Sequence, residues 1–180
     1  MSNINFKKIV ENLIDTFIYA GKVSLKLREK GLIKKIKSDN TPVSNGDLEV
    51  NEIITKKIFE LTPDIPIISE ETSDNKSIID LRNFWLIDPI DGTYDYINNL
   101  DEFTINAGLI IDRQPTAGLI YAPAKERMFY SYGKELAFEK TGGEIIKLDC
   151  SKYFDKNEIK FVSYSNNLKP EIKKKHEEFK

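Results

Sequence analysis

The chain has 180 residues, of which 40% are hydrophobic and 31% charged, an ordinary balance for one globular domain with its own core. Its formal net charge of −2 gives no general attraction to nucleic acid, so no nucleic-acid polymer is expected as a partner. The single cysteine, Cys150, excludes an intramolecular disulfide, and no apolar run reaches the roughly 18 residues of a membrane span. These features favour a soluble cytoplasmic protein.

Two amphipathic helices are predicted at the start of the chain. The first covers about residues 4–30, where apolar side chains recur at three- and four-residue steps. A polar loop at 37–42 leads to the second helix, which has Ser44 as N-cap and Asp47 in the capping-box position. The predicted apolar stripe of this second helix consists of Leu48, Val50, Ile53, Ile54, Ile58 and Leu61.

Short strands account for most of the remaining chain. A buried strand is predicted at 66–69, ending at Glu70 and Glu71. Further strands are predicted at 103–111, 116–122, 127–132, 136–139, 145–148 and 160–164. Their short, turn-forming connections indicate antiparallel hairpins. We therefore predict an α+β fold in which two N-terminal helices pack on a mainly antiparallel sheet.

Two carboxylates, Asp88 and Asp91, follow a predicted buried strand at 84–87. Pro89 cannot donate to a sheet ladder, so strand pairing is expected to stop there and the chain to turn. Unpaired, two acids so close together would repel each other. A hard divalent ion such as Mg²⁺ takes carboxylate and carbonyl oxygens together with substrate phosphate. The pair therefore predicts a Mg²⁺ site in preference to a plain β-turn.

Gly92 and Thr93 follow directly and predict an anion site. Gly92 permits a positive φ, and Thr93 is expected to cap a short helix over 93–97. The free amides of Gly92 and Thr93 would then receive an anion such as phosphate. Considered singly, Asp47 is also explained as a helix cap, and Glu70 with its acidic neighbour as a solvated strand end.

Taken together, the acidic motifs make this sequence resemble the inositol monophosphatase-like family of metal-dependent phosphatases. The motifs are Ser-Glu-Glu at 69–71 and Trp-Leu-Ile-Asp-Pro-Ile-Asp-Gly-Thr at 85–93. Within the family the sequence looks most like the CysQ branch, the 3'(2'),5'-bisphosphate nucleotidases, through segments 39–47, 61–71, 102–106 and 118–123. It departs from that branch at 94–96, where Tyr-Asp-Tyr replaces the usual lysine, acid and phenylalanine.

The resemblance implies a set of oxygen ligands for Mg²⁺. These ligands would be Glu70, Asp88, the backbone carbonyl of Ile90, and Asp91. Bound Mg²⁺ lowers the pKa of a bound water and neutralises phosphate oxygens, which suits in-line hydrolysis of a monoester.

The resemblance also implies catalytic and substrate-binding roles. Asp47, Glu70 and Thr93 would be the catalytic residues, with Asp47 and Thr93 on either side of the attacking water. The substrate phosphate would be held by Asp91, Gly92 and Thr93. The sole histidine, His176, lies in a charged tail and is expected to be solvated.

Residues 1–165 are accordingly expected to form a metal- and phosphate-binding N-terminal lobe. Residues 166–180 would be the first part of a second α/β lobe. The rest of that lobe is absent from the sequence, so the chain is expected to be truncated. The implied activity is Mg²⁺-dependent hydrolysis of a small phosphate monoester, foremost adenosine 3',5'-bisphosphate to AMP and phosphate. The alternatives are an inositol or sugar monophosphatase, and a catalytically incomplete remnant that acts as a binding or interaction module. A homodimer is compatible with the resemblance.

Overall fold

The computed structural model of the chain separates into two compact units, Met1–Leu148 and Asp149–Lys180. It describes residues 5–37, 40–72 and 81–149, with 170, 171 and 174 from the second unit. All helices and strands whose bounds are given lie in the first unit. Several predictions lie outside the described residues and stay predictions: the strand at 160–164, the lobe boundary between 165 and 166, and the solvated position of His176.

Helix α1 spans Phe6–Lys30, which confirms the first predicted helix. It begins where the Asn5 side chain accepts a hydrogen bond from the Lys8 amide at 3.0 Å. It ends at Gly31, whose φ of 93° lies in the left-handed region that favours glycine. One face of α1 is buried along its whole length, from Val10 to Ser24.

Helix α2 spans Asn45–Leu61, and Ser44 and Asp47 form the predicted capping box at its start. Val50, with Ile54 and Ile58, is fully buried. Leu48, in contrast, is 46% exposed, so its assignment to the buried stripe was wrong. At about 100° per residue, a position two residues before Val50 points to nearly the opposite side of the helix.

The strands form one large sheet and one small hairpin. The large sheet contains seven strands in chain order β3 to β9, and the hairpin contains β1 and β2. Their bounds are Lys34–Ile36 (β1), Pro42–Ser44 (β2), Ile67–Ser69 (β3), Phe84–Asp91 (β4), Thr104–Ile111 (β5), Gln114–Ala122 (β6), Arg127–Ser131 (β7), Ala137–Thr141 (β8) and Glu144–Lys147 (β9). Among the strands that the structure describes, only β3 and β4 pair in parallel, which confirms the mainly antiparallel sheet.

The hairpin of β1 and β2 was not predicted from the sequence. The two strands flank the polar loop and pair in antiparallel register, with Lys35 opposite Val43. All three residues of β1 are exposed, so its sequence carries no alternation of buried and solvated side chains. The hairpin lies directly before α2 and ends at the Ser44 cap.

The core lies between the two long helices and one face of the sheet, which confirms the predicted α+β packing. Trp85 is fully buried at the start of β4 and its indole N–H donates to the Thr62 hydroxyl at 3.0 Å. Since a buried indole N–H without a partner would be costly, this bond fixes the end of α2 against β4. Within the described ranges, no helix is both long and apolar enough to cross a membrane.

Candidate metal and phosphate site

Parallel pairing of β3 with β4 brings two acidic segments together. Ser69 lies opposite Ile87, so each strand delivers its next residue, Glu70 or Asp88, at the same edge of the sheet. The Glu70 amide donates to the Ile87 carbonyl at 3.1 Å and continues the ladder by one step. Glu70 and Asp88 therefore meet although they follow from two different strands, β3 and β4.

Strand β4 continues through Pro89 to Asp91, so the prediction that the strand ends at Asp88 was wrong. Asp88 pairs with Asn106 and Asp91 with Thr104, and the register shifts between them. Pro89 has no N–H and therefore cannot donate a hydrogen bond to β5. The register shift between Asp88 and Asp91 allows β4 to pair with β5 again after Pro89. Both acids therefore belong to one strand, on either side of the irregularity.

Asp88 is held in an environment that disfavours its charge. Its Oδ1 is buried and has no hydrogen-bond partner. Burial raises the pKa of Asp88 to about 7, and the nearby charges of Glu70 and Asp91 add to the shift. A carboxylate in this position is stabilised by a cation.

Asp47 and Thr93 are in direct contact. The Asp47 side chain is 1% exposed, and its Oδ2 accepts from the Ser44 amide at 2.8 Å and the Ser44 hydroxyl at 2.6 Å. The Thr93 hydroxyl lies 3.2 Å from the other oxygen, Oδ1, and 3.0 Å from the Ile90 carbonyl. Because a hydroxyl has a single proton, these two acceptors share one donor. Asp47 is thus both a helix cap and a fixed acceptor for Thr93.

Gly92 makes the turn from β4 into helix α3, which spans Thr93–Ile97. The N-cap is Gly92, with no capping side chain, so the expectation that Thr93 caps this helix was wrong. The φ of Gly92 is 91°, and a Cβ there would lie 2.7 Å from the backbone carbonyl of Glu102. This position therefore requires glycine for both conformation and space. The predicted phosphate contacts of the Gly92 and Thr93 amides stay a prediction.

Lys37 is a member of the site that sequence reasoning missed. Its ammonium lies 2.8 Å from Glu71 and 3.2 Å from Glu70. The Glu71 side chain is 4% exposed, whereas that of Glu70 is 49% exposed. Burial raises the pKa of Glu71, and the bond from Lys37 partly offsets that shift. A lysine on a polar loop gives no sequence signal, because only the hairpin fold carries it to these glutamates.

The candidate residues have the oxygen donors that a divalent cation prefers, although their side chains are not grouped around one point. Within 5–37, 40–72 and 81–149, no three Asp, Glu, His or Cys side chains are grouped closely enough to hold a metal ion. The acids nevertheless offer only hard oxygen donors, and the buried Asp88 oxygen has no partner. The sequence-predicted ligands thus lie near one another, with Glu70 turned toward Lys37. Their roles as ligands stay a prediction.

Comparison with known proteins places this geometry in a family. A chain 34% identical over 145 residues is the 3'(2'),5'-bisphosphate nucleotidase CysQ of Aggregatibacter actinomycetemcomitans, covering 78% of this chain and 53% of that enzyme. This chain therefore spans about half the length of that curated relative.

Solved structures share the fold. CysQ from Bacteroides thetaiotaomicron superposes with a TM-score of 0.67 at 21% identity, covering 99% of this chain and 70% of that one. An IMPase/NADP phosphatase complexed with Mg²⁺ and phosphate superposes with a TM-score of 0.67 at 18% identity, covering 76% and 52%. The profile of the inositol monophosphatase family matches residues 7–179. The chain belongs to the inositol monophosphatase family.

Proposed function

We propose that the chain is the metal- and phosphate-binding part of a Mg²⁺-dependent phosphomonoesterase. The observation that carries the proposal is Asp88, whose buried oxygen has no partner and whose pKa is raised by burial and by neighbouring Glu70 and Asp91. Acids packed this way destabilise a protein unless a cation joins them, and perturbed carboxyls cluster at functional sites. The family member with bound Mg²⁺ and phosphate supports the choice of ion.

Glu70, Asp88, Asp91 and the carbonyl of Ile90 would hold the cation. When bound, it neutralises phosphate oxygens and supplies a water of lowered pKa as nucleophile. Opening of the Lys37 pair would free Glu70 for this role, because its carboxylate is 49% exposed and able to move.

Thr93 and Asp47 would orient the attacking water. The Thr93 hydroxyl donates its single proton toward Asp47 or the Ile90 carbonyl, at 3.2 Å and 3.0 Å. Its oxygen lone pairs remain available to accept a hydrogen bond from water. Asp47 is fixed by two hydrogen bonds from Ser44, so the hydroxyl is held without a mobile partner. Such fixed orientation reduces the entropic cost of attack on phosphorus.

The substrate we propose is a 3'(2'),5'-bisphosphate nucleotide, foremost adenosine 3',5'-bisphosphate. Support comes from the CysQ relatives, at 34% identity over 145 residues for the Aggregatibacter enzyme. Tyr94 stands where that branch usually has lysine, and it is 69% exposed at the start of α3. This departure favours an inositol or sugar monophosphate as the second candidate substrate.

Side-by-side kinetics distinguish the two substrates. The protein is expressed from Met1 through any codons that follow Lys180, and phosphate release is measured with Mg²⁺ from the nucleotide and from inositol 1-phosphate. We expect a higher kcat/KM for the nucleotide. The reverse ratio would replace the nucleotidase assignment with a monophosphatase, and no release from either substrate would favour a non-catalytic binding module.

A further inference from the structure

A second buried oxygen without a partner lies beside Asp88. Within the described ranges, the buried side-chain oxygens with no hydrogen-bond partner are Asp88 Oδ1 and Asn106 Oδ1. These residues are direct cross-strand partners on β4 and β5. Opposed positions in an antiparallel pair place their Cβ atoms about 5 Å apart on one face. A buried hydrogen-bond acceptor without a donor destabilises a fold, and here two such acceptors belong to paired residues of neighbouring strands.

Asn106 also contacts the other acid of the strand. Its Nδ2 donates to Asp91 Oδ2 at 3.2 Å. One side chain thus lies beside both predicted carboxylate ligands of β4, although the ladder is irregular between Asp88 and Asp91. A neutral amide is the side chain that fits this position, because it donates to one acid and adds no charge beside the other.

The sheet neighbours of Asn106 explain why its oxygen has no protein donor. On its other flank Asn106 pairs with Ile120, and its same-face neighbours along β5 are Thr104 and Gly108. Ile120 and Gly108 bring no polar side chain, and the Thr104 hydroxyl makes no hydrogen bond to Asn106 Oδ1. A ligand of the site would supply the donor, and Mg²⁺ keeps several of its waters when it binds to proteins.

We propose that Asn106 is a positioning residue of the metal site: Nδ2 orients the Asp91 carboxylate, and Oδ1 accepts a hydrogen bond from a water of the bound cation. This inference rests on the proposed function, since it needs a cation at Asp88 and Asp91. It adds a residue of β5 to a metal site otherwise built from β4 and from Glu70, which follows β3. The alternative is a purely structural asparagine that stabilises the β4–β5 pair.

The test is Mn²⁺ binding to the purified chain, measured by electron paramagnetic resonance with Mg²⁺ as competitor. Mn²⁺ prefers the same oxygen ligands and reports binding without any turnover. Asn106→Leu keeps the side-chain volume and removes both polar atoms. The matched control is Asn12→Leu on α1. Asn12 is exposed and lies away from the acids of the site, and its side-chain amide donates to the Lys8 carbonyl at 2.6 Å. The control therefore also removes an amide that makes one hydrogen bond.

We expect Asn106→Leu to raise the Kd for Mn²⁺ about tenfold, the effect of losing one hydrogen bond to a charged group. Asn12→Leu should leave the Kd unchanged. The urea midpoint of metal-free Asn106→Leu should equal or exceed that of the unsubstituted chain, because an unpartnered oxygen is removed together with the amide. A structural asparagine predicts the opposite pattern, with a lower urea midpoint and an unchanged Kd, and that result would overturn the proposal.

A chain that binds no Mn²⁺ at all would refute the metal site of the proposed function. Mn²⁺ binding that Asn106→Leu leaves unchanged would overturn only the role of Asn106 and would leave the metal site standing.

Discussion

Replacing Asp88 by asparagine isolates the cost of its charge in the metal-free fold. The pKa of Asp88 rises from 3.8 to about 7, a shift of about 3 pH units. At 1.36 kcal/mol per unit this sets a ceiling of about 4 kcal/mol. Because Asp88 is only partly buried, solvent screening reduces the expected effect to about 1–2 kcal/mol.

The pH dependence follows from the sign of the shift. A carboxyl whose folded pKa is raised holds its proton in the folded state after the unfolded chain has lost it. The stability of the unsubstituted chain should therefore fall between about pH 4 and pH 7 and then level off. Asp88→Asn should be more stable than the unsubstituted chain at pH 8 and nearly equal to it at pH 4.

Urea unfolding without metal at pH 4 and pH 8 measures this difference. Asp15→Asn on α1 is the matched control, because it removes an exposed carboxylate far from the site in sequence. A stability gain that is the same at both pH values, or that Asp15→Asn reproduces, would refute the electrostatic reasoning. Mg²⁺ should stabilise the unsubstituted chain more than Asp88→Asn, because the amide carries no charge to attract the cation.

Three further substitutions test other parts of the site. Gly92→Ala should cost about 1–3 kcal/mol in urea unfolding, since its φ is 91° and a Cβ would lie 2.7 Å from the Glu102 carbonyl. Lys37→Met should cost about 1–3 kcal/mol by leaving the buried Glu71 carboxylate without its cation. That cost should grow as the pH rises from 5 to 8, because removing Lys37 raises the pKa of Glu71 further. Thr93→Val should lower Mg²⁺-dependent phosphate release by about 10²-fold or more, and should cost about 1–3 kcal/mol in stability because Asp47 Oδ1 loses its hydroxyl donor.

Each substitution has a control of the same chemistry. Gly142→Ala also places alanine at a positive φ, 55°, but meets no atom within 4 Å, so it should cost less than Gly92→Ala. Lys125→Met removes an exposed ion pair with Glu102 and should change stability by less than about 1 kcal/mol at any pH. Thr116→Val removes an exposed hydroxyl on β6 and should leave phosphate release unchanged. Equal effects of a substitution and its control would contradict the role assigned to the site residue.

The locally encoded parts of the site were predictable from sequence. The capping box of Ser44 and Asp47 spans four residues, and it forms as predicted. The helix after Gly92 also forms where expected, over Thr93–Ile97. In the capping box the determining hydrogen bonds lie within one turn of backbone, so the local sequence specifies them.

The parts that depend on tertiary pairing were not predictable. The approach of Glu70 to Asp88 requires parallel pairing between strands separated by a long connection, which no local pattern reports. Lys37 reaches its glutamates through a hairpin whose first strand is entirely exposed. Asn106 was noted only as part of a family segment, because its importance depends on the strand opposite it. The continuation of β4 past Pro89 likewise depends on the register shift.

In the proposed function, the acids of β4 bind the cation that hydrolysis requires. The most direct measurement is phosphate release from adenosine 3',5'-bisphosphate as a function of Mg²⁺, for the expressed protein and for Asp91→Asn. Asp91 lies beyond Pro89 on β4 and is exposed, so the substitution should leave the fold intact. We expect release that requires Mg²⁺ and is abolished by Asp91→Asn. Release that proceeds without Mg²⁺, or that survives Asp91→Asn, would contradict the account.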